Sequence, residues 1–176
     1  MRLFIALTLP EEALDVLSDM QDAMPEGRAV EMDALPLTLA FLGETPAEAL
    51  PEIDAALRSI RAPAIALHFH GGAVFGGRLN RVVAVQAEGG AALTDLHDRI
   101  RSRLHGIGMA LPRRRFRPHV TLLRTRDKRA ATLGLAAIPP GALGPFACDS
   151  FGLISSVLHP DGARHEERAR YPLAGS

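Results

Sequence analysis

Two short segments of this chain share the order hydrophobic residue, threonine, leucine. One lies in Pro36–Leu42 and the other in His119–Arg124, and each precedes a polar break and a predicted helix. Two related half-domains, each supplying one strand to a shared cleft, would explain this near-repeat. The match is short, so it constrains the fold only together with the residues around it.

The second segment predicts a strand with reactive groups on one face. Val120 and Thr121 are β-branched, which favours extended backbone. His119 and Thr121 are two residues apart, so both side chains leave the same face of a strand. Arg117 and Arg124 add fixed positive charge, and this combination suits a phosphate ester. The alternative is a buried histidine held by a local hydrogen bond, which is the commoner role of an isolated His-x-Thr.

The composition is that of an ordinary globular domain. Of 176 residues, 47% are hydrophobic and 23% are charged, and no apolar run approaches the ~20 residues of a membrane-spanning helix. The apolar segment Met1–Leu7 is too short for a signal peptide and predicts a first strand. The single cysteine, Cys148, excludes an internal disulfide, fits a reducing cytoplasm and predicts a small buried strand residue. With one cysteine and no close cluster of His, Asp and Glu, we expect no structural zinc.

Charge is unevenly distributed along the chain. Residues 1–60 hold twelve acids and three bases, whereas residues 61–176 hold seventeen bases and eight acids. Eight of these bases crowd the two ends of the His119 segment: Arg113, Arg114, Arg115, Arg117, Arg124, Arg126, Lys128 and Arg129. Such a cluster attracts phosphates. A solvated charged loop is an equally weighted interpretation.

Hydrophobic periodicity and turn residues predict strands that alternate with helices. The predicted strands are Arg2–Leu9, an extended piece at Arg28–Met32, Leu35–Glu44, Ala64–Phe69, Arg81–Ala87, a strand from His119, Phe146–Leu158 and Arg164–Leu173. The predicted helices are Pro10–Met24, Thr45–Ile60, Ala91–Ile107 and Lys128–Ala137. Gly71–Gly77 predicts a flexible loop that leads to Arg78, and His159–Gly162 predicts the turn of a closing hairpin.

Four blocks in order carry a resemblance that covers nearly the whole chain. They are the N-terminal Met1–Leu7 with the following Leu-Pro-Glu-Glu, then Leu37–Glu44, Phe116–Leu122, and the hairpin between Ser156 and Leu173. With these blocks the chain resembles the two-histidine phosphoesterases. Within that superfamily it is most similar to the RNA 2′,3′-cyclic phosphodiesterase family, also called the 2′-5′ RNA ligase family.

The resemblance implies an α+β fold of two similar lobes around a central cleft. Each lobe would be an antiparallel sheet with outer helices, and residues 1–176 would form a single bilobal phosphoesterase-like domain. It implies hydrolysis of 2′,3′-cyclic phosphodiester ends of RNA or small nucleotides, without metal or cofactor. His119 would be catalytic, and Thr38, Thr121 and Arg124 would hold the phosphate. We further expect a cytoplasmic monomer whose partners are RNA ends or nucleotides and not membranes.

The first motif departs from the family pattern, because Pro36 stands where the first histidine is expected. Proline can start a strand but cannot exchange a proton. Loss of a positioned acid or base lowers a rate about 10²–10⁴-fold, so full activity is not expected. His68 and His70 share a strand face and could substitute, although local hydrogen bonding is the favoured interpretation. The helix carrying His97 and His105 should lie on the outer surface. A non-catalytic module that binds RNA ends or nucleotides is the alternative function.

Overall fold

The computed structural model describes residues 1–25, 28–29, 35–160 and 162–174. The strands are β1 (Arg2–Leu7), β2 (Arg28–Ala29), β3 (Leu37–Glu44), β4 (Ile65–Gly77), β5 (Asn80–Glu88), β6 (His119–Thr125), β7 (Ala142–Cys148), β8 (Ser150–His159) and β9 (Gly162–Pro172). The helices are α1 (Glu11–Asp22), α2 (Leu50–Arg58), α3 (Gly90–Gly106) and α4 (Lys128–Ala136), and a short 3₁₀ helix (Ala47–Ala49) precedes α2. Beyond β2, the extended piece predicted at 28–32 falls outside the described residues. Every helix in the described ranges is too short or too polar to span a bilayer.

All strands of the described chain belong to one antiparallel sheet with two halves. The order is β7-β4-β5-β6-β3-β1-β8-β9, and β2 pairs with β6 beside this path. The halves meet at β3 and β6, where the single residue pair Leu37 and Val120 joins them. This arrangement confirms the α+β fold and the two sheet halves that the resemblance implied.

The helices pack on the face of the sheet that carries Leu37 and Val120. Both residues are fully buried in one apolar cluster with a stripe of α3. That stripe consists of Leu93, Leu96, Ile100 and Leu104. Burying each such side chain contributes roughly 1.5–3 kcal/mol. The apolar residues of β3 and β6 therefore face the core, and the polar residues between them lie on the opposite face of the sheet.

A β-bulge follows the threonine in each of the two similar segments. In β3, Thr38 pairs with Ala6 and Ala40 with Ile5, so Leu39 is the extra residue. In β6, Thr121 pairs with Ala84 and Leu123 with Val83, so Leu122 is the extra residue. Because the register changes at the same point of both motifs, the near-repeat in the sequence corresponds to a repeat in the backbone.

The prediction of a flexible loop at Gly71–Gly77 is wrong, because β4 continues to Gly77. Gly72 pairs with Val85 in the ladder. A Cβ at Gly72 would come within 2.7 Å of Leu135 and 2.9 Å of Ile138. Glycine is therefore favoured by the close approach of side chains in and after α4, and its abundance here does not indicate a loop.

The single strand predicted at Phe146–Leu158 is also wrong, because two strands occupy this stretch. β7 ends at Cys148, which pairs with Ile65 in one half of the sheet, and β8 begins at Ser150, which pairs with Pro172 in the other. Asp149 is thus where the chain crosses between halves. Cys148 is buried as predicted, and burial raises the pKa of its thiol to about 12. The β8–β9 hairpin is confirmed.

On α3, His105 is exposed, as expected of a helix on the outer surface, but His97 on the same helix is buried. Its ring stacks on Phe116, with centroids 4.0 Å apart and planes within 6°. Loss of hydration lowers the pKa of this imidazole, although Asp98 at 3.2 Å opposes the effect. The segment before β6 is thereby anchored on α3.

Tyr171 links β9 to α2 through a charged hydrogen bond. Its hydroxyl donates to Asp54 Oδ1 at 2.7 Å, and Arg58 Nε donates to the same carboxylate at 3.0 Å. The bond from Tyr171 and the nearby Arg58 lower the pKa of Asp54. Burial, followed by the bond to Asp54, raises the pKa of Tyr171, so the hydroxyl keeps its proton.

We predict that Tyr171→Phe lowers the free energy of unfolding by about 1–2 kcal/mol at pH 7, because the Asp54 carboxylate loses one of its two donors. The folded pKa of Asp54 is depressed, so this stabilisation is present above the unfolded pKa of about 4 and disappears as the pH falls through the folded value. Urea denaturation of both proteins across this range measures the difference. A gap that stays constant down to pH 2 would show that the hydrogen bond to the carboxylate is not its source.

Candidate active site

The polar residues of the two threonine motifs share the face of the sheet opposite the core. Leu37 and Val120 point into the core, so their sequence neighbours point the other way. Extending the antiparallel register by one residue sets Thr38 opposite His119 and Pro36 opposite Thr121. All four side chains are half-buried. The structure therefore brings both motifs to one site at the junction of the two halves.

Arg124 joins this face because of the bulge in β6. A regular strand would direct residues 119, 121 and 123 to one side. The extra residue Leu122 shifts the alternation, so Leu123 is buried and Arg124 pairs with Val82 on the side of Thr121. The arginine is exposed. The four residues that the sequence singled out, Thr38, His119, Thr121 and Arg124, thus lie on one surface.

The imidazole of His119 is held by two contacts. Its Nδ1 lies 2.6 Å from the carbonyl oxygen of Arg117. A carbonyl oxygen only accepts, so Nδ1 carries the hydrogen and Nε2 keeps a free lone pair in the neutral ring. The ring of Phe75 packs against the imidazole with centroids 4.7 Å apart. These contacts fix the ring and leave Nε2 as the nitrogen available for proton transfer.

Pro36 occupies in one half of the sheet the place that His119 occupies in the other. Each residue stands two positions before its threonine and three before its bulge. Proline directly before β3 costs the ladder nothing, because Leu37 is the first residue of the strand. The fold therefore tolerates the proline, while the site loses an imidazole at this position.

His68 and His70 do not adjoin His119. They flank the buried Phe69 on β4, where His68 pairs with Glu88 and His70 with Ala142. β5 lies between β4 and β6, so two strand spacings, about 10 Å, separate their backbones from that of β6. Their use as a substitute acid or base remains a prediction.

The β4–β5 hairpin ends beside Arg124. Its tip residues Leu79 and Asn80 line a cavity of about 530 Å³ together with residues 124 to 126. Arg78 is exposed at this tip, and its carbonyl accepts a bond from Arg81.

Three further residues of this surface escaped the sequence reasoning. Gln86 pairs with His119 and donates to the carbonyl of Gly72 at 3.3 Å. Phe75 packs on His119, and Phe41, 60% exposed, lies on the face of Thr38 beside Phe4. Phe41 lies on this face only because of the bulge after Thr38. It stands three residues after Thr38, as Arg124 stands three residues after Thr121, and this equal spacing is the signal that could have identified Phe41.

Comparisons with known proteins agree with this geometry. Residues 29–159 match the model of the 2′-5′ RNA ligase superfamily. The chain is 32% identical to the RNA 2′,3′-cyclic phosphodiesterase of Escherichia coli K12 over 98% of this chain and 96% of that protein. It is 30% identical to the protein of the same name from Thermus thermophilus, over 99% of this chain and 91% of that protein.

Solved structures give the same result. A Thermus thermophilus protein superposes with a TM-score of 0.81 at 26% identity, over 100% of both chains. E. coli LigT complexed with 3′-AMP superposes with a TM-score of 0.72 at 29% identity, over 98% of this chain and 96% of that one. On the match of the family model and of these relatives, the chain belongs to the 2′-5′ RNA ligase superfamily.

Proposed function

We propose that this protein hydrolyses 2′,3′-cyclic phosphodiester ends of RNA or small nucleotides by metal-independent acid/base chemistry. The observation that carries the proposal is the convergence of His119, both motif threonines and Arg124 on one face of the sheet. Relatives about 30% identical over nearly the whole chain bear the name RNA 2′,3′-cyclic phosphodiesterase, which supports it.

Thr38, Thr121 and Arg124 are assigned to the phosphate. Hydroxyl groups donate single hydrogen bonds to phosphate oxygens, and a guanidinium donates two in parallel. The threonines approach from two adjoining strands, and Arg124 approaches from the far side of the bulge. Donors fixed before substrate arrives stabilise the charge that develops on the phosphate in the transition state.

His119 is assigned to proton transfer through Nε2. In the reaction, the oxygen of water forms a bond to phosphorus, one ring P–O bond breaks, and the ribose oxygen that leaves gains a proton. A neutral His119 would remove the proton of the attacking water, and a protonated one would supply the leaving oxygen. Phe75 and the Arg117 carbonyl hold the ring in one orientation for either role.

Pro36 removes the second proton carrier of this scheme. In the absence of an imidazole there, solvent must supply or take the second proton, which limits the rate. The exposed ring of Phe41 remains available next to Thr38 as a stacking surface for a base. Structures of E. coli LigT complexed with 3′-AMP and with ATP support a nucleotide as the ligand.

We assign the protein to the cytoplasm as a monomer made of one bilobal domain. Its one cysteine is buried in β7, which suits a reducing compartment.

We predict that His119→Ala lowers kcat/KM for a 2′,3′-cyclic mononucleotide about 10²–10⁴-fold, because Nε2 is the only positioned proton carrier assigned to the reaction. Steady-state kinetics with a chromatographic readout of the monophosphate measure the effect. The matched control is His159→Ala, which removes an exposed histidine at the end of β8. Equal rates for wild type and His119→Ala would refute the assignment.

We predict that Pro36→His raises kcat about 10²-fold or more, because it restores an imidazole opposite Thr121. Pro36→Ala is the control, since it removes the proline ring without adding a proton carrier. An increase confined to Pro36→His supports a missing acid or base. An equal increase in Pro36→Ala would instead trace the effect to the backbone.

A non-catalytic module that binds nucleotides or RNA ends is the second candidate, and Pro36 is the observation that favours it. Both an enzyme and a binding module bind a 2′,3′-cyclic nucleotide and lose that affinity in Thr121→Val. Only the binding module releases no product even at high protein concentration.

A further inference from the structure

An exposed basic segment enters the candidate site directly before β6. The residues Arg113–Arg117, which we call the arginine arm, contribute four guanidinium groups, and all four arginines are exposed. Within the described part of the chain, none of the ion pairs involves them. Four like charges within five residues, without carboxylate partners, repel one another, and a bound anion lowers that repulsion.

Two contacts at its C-terminal end fix the direction of the arm. Phe116 stacks on the buried His97, and the Ala87 N–H donates to the Pro118 carbonyl at 2.9 Å, which continues the β5–β6 ladder. Phe116 and Val120 therefore face inward. The two arginines on either side of Phe116, Arg115 and Arg117, are exposed.

The last residue of the arm touches the catalytic imidazole through its backbone, because the Arg117 carbonyl accepts from His119 Nδ1 at 2.6 Å. The arm thus starts at the reaction centre and leads outward from it. The half of the chain that carries it, residues 61–149, holds fourteen bases and five acids. A long anion that reaches His119 therefore meets a favourable potential along this path.

We propose that the arginine arm binds the phosphates of the RNA strand on the 5′ side of the terminal cyclic phosphate, so that RNA ends are preferred over mononucleotides. The inference rests on the proposed function for its reaction. A 2′,3′-cyclic phosphate closes the 3′ end of a strand, so the rest of the strand leaves the site in one direction only. One track of cations from His119 outward is sufficient, and guanidinium groups suit phosphates.

Binding tests the arm without requiring turnover. The probe is a fluorescent ten-nucleotide RNA with a 3′-phosphate, measured by anisotropy between 50 and 300 mM salt. The variant Arg113→Gln, Arg114→Gln, Arg115→Gln should reduce the slope of log Kd against log salt by about 2, since each cation on single-stranded nucleic acid contributes about 0.7. At 50 mM salt its Kd should rise at least about tenfold.

The matched control removes three cations at the other end of β6: Arg126→Gln, Lys128→Gln, Arg129→Gln. Its slope should stay that of the wild type. An unchanged slope in the arm variant, or an equal reduction in the control, overturns the proposal. A second result also overturns the proposal: sedimentation shows a wild-type dimer that the arm variant no longer forms, while RNA binding is the same in both. The arginine arm would then bind the acidic residues 1–60 of a second copy instead of RNA.

Turnover separates this inference from the proposed function. With a ten-nucleotide RNA ending in a 2′,3′-cyclic phosphate and the corresponding mononucleotide, wild type should favour the RNA in kcat/KM, and the arm variant should reduce that ratio at least about fivefold. If wild type binds RNA as predicted but hydrolyses neither substrate, the proposed function is refuted and the role of the arginine arm in RNA binding is supported. If wild type hydrolyses both substrates and the arm variant has the same ratio of kcat/KM for RNA to kcat/KM for the mononucleotide, the role of the arginine arm is refuted.

Discussion

The junction between Leu37 and Val120 is the constraint on which the rest of the structure depends. It is the one residue pair that joins β3 to β6 in the described chain. Both side chains are fully buried with the α3 stripe, so the pair is held from below by apolar packing. The residues on either side of it must then emerge on the opposite face. Burial of two ordinary aliphatic side chains thereby determines that Thr38, His119 and Thr121 meet at one place, and the chemistry of the site follows from the packing of the core.

Much of this arrangement could be predicted from the sequence, and the failures have physical causes. The alternation of His119 and Thr121, the buried stripe of α3 and the closing hairpin all follow from local periodicity, which a single sequence contains. The strand at Gly71–Gly77 does not follow from local periodicity, because the glycine there accommodates side chains in and after α4, which are distant in the sequence. The crossing at Asp149 carries no proline or glycine, so it depends on which strands pair with β7 and β8. Alternation alone would also have excluded Arg124 from the site; the four-block resemblance supplied it, and the bulge explains it.

The strands β3 and β6 share their backbone geometry but differ in the side chains that they present on the open face. Both halves keep the threonine and the bulge, which serve the sheet as well as the site. They differ at two positions, where His119 corresponds to Pro36 and Arg124 to Phe41. The half with the arginine arm thus holds an imidazole and a guanidinium group, and the other half holds a proline and an aromatic ring. A substrate with a phosphate at one end and a base nearby matches this division.

The bulge at Leu122 also makes the site sensitive to chain length, and in one direction only. Loss of Leu122 from β6 would remove the bulge and restore regular alternation, and Thr121 and Arg124 would both stay on the open face with the same partners in β5. A residue gained between Leu123 and Arg124, with the bulge kept, would take the open position and turn the arginine toward the apolar layer under α4. In related chains, the spacing between the threonine and the arginine should therefore be shortened by one residue more readily than it is lengthened by one.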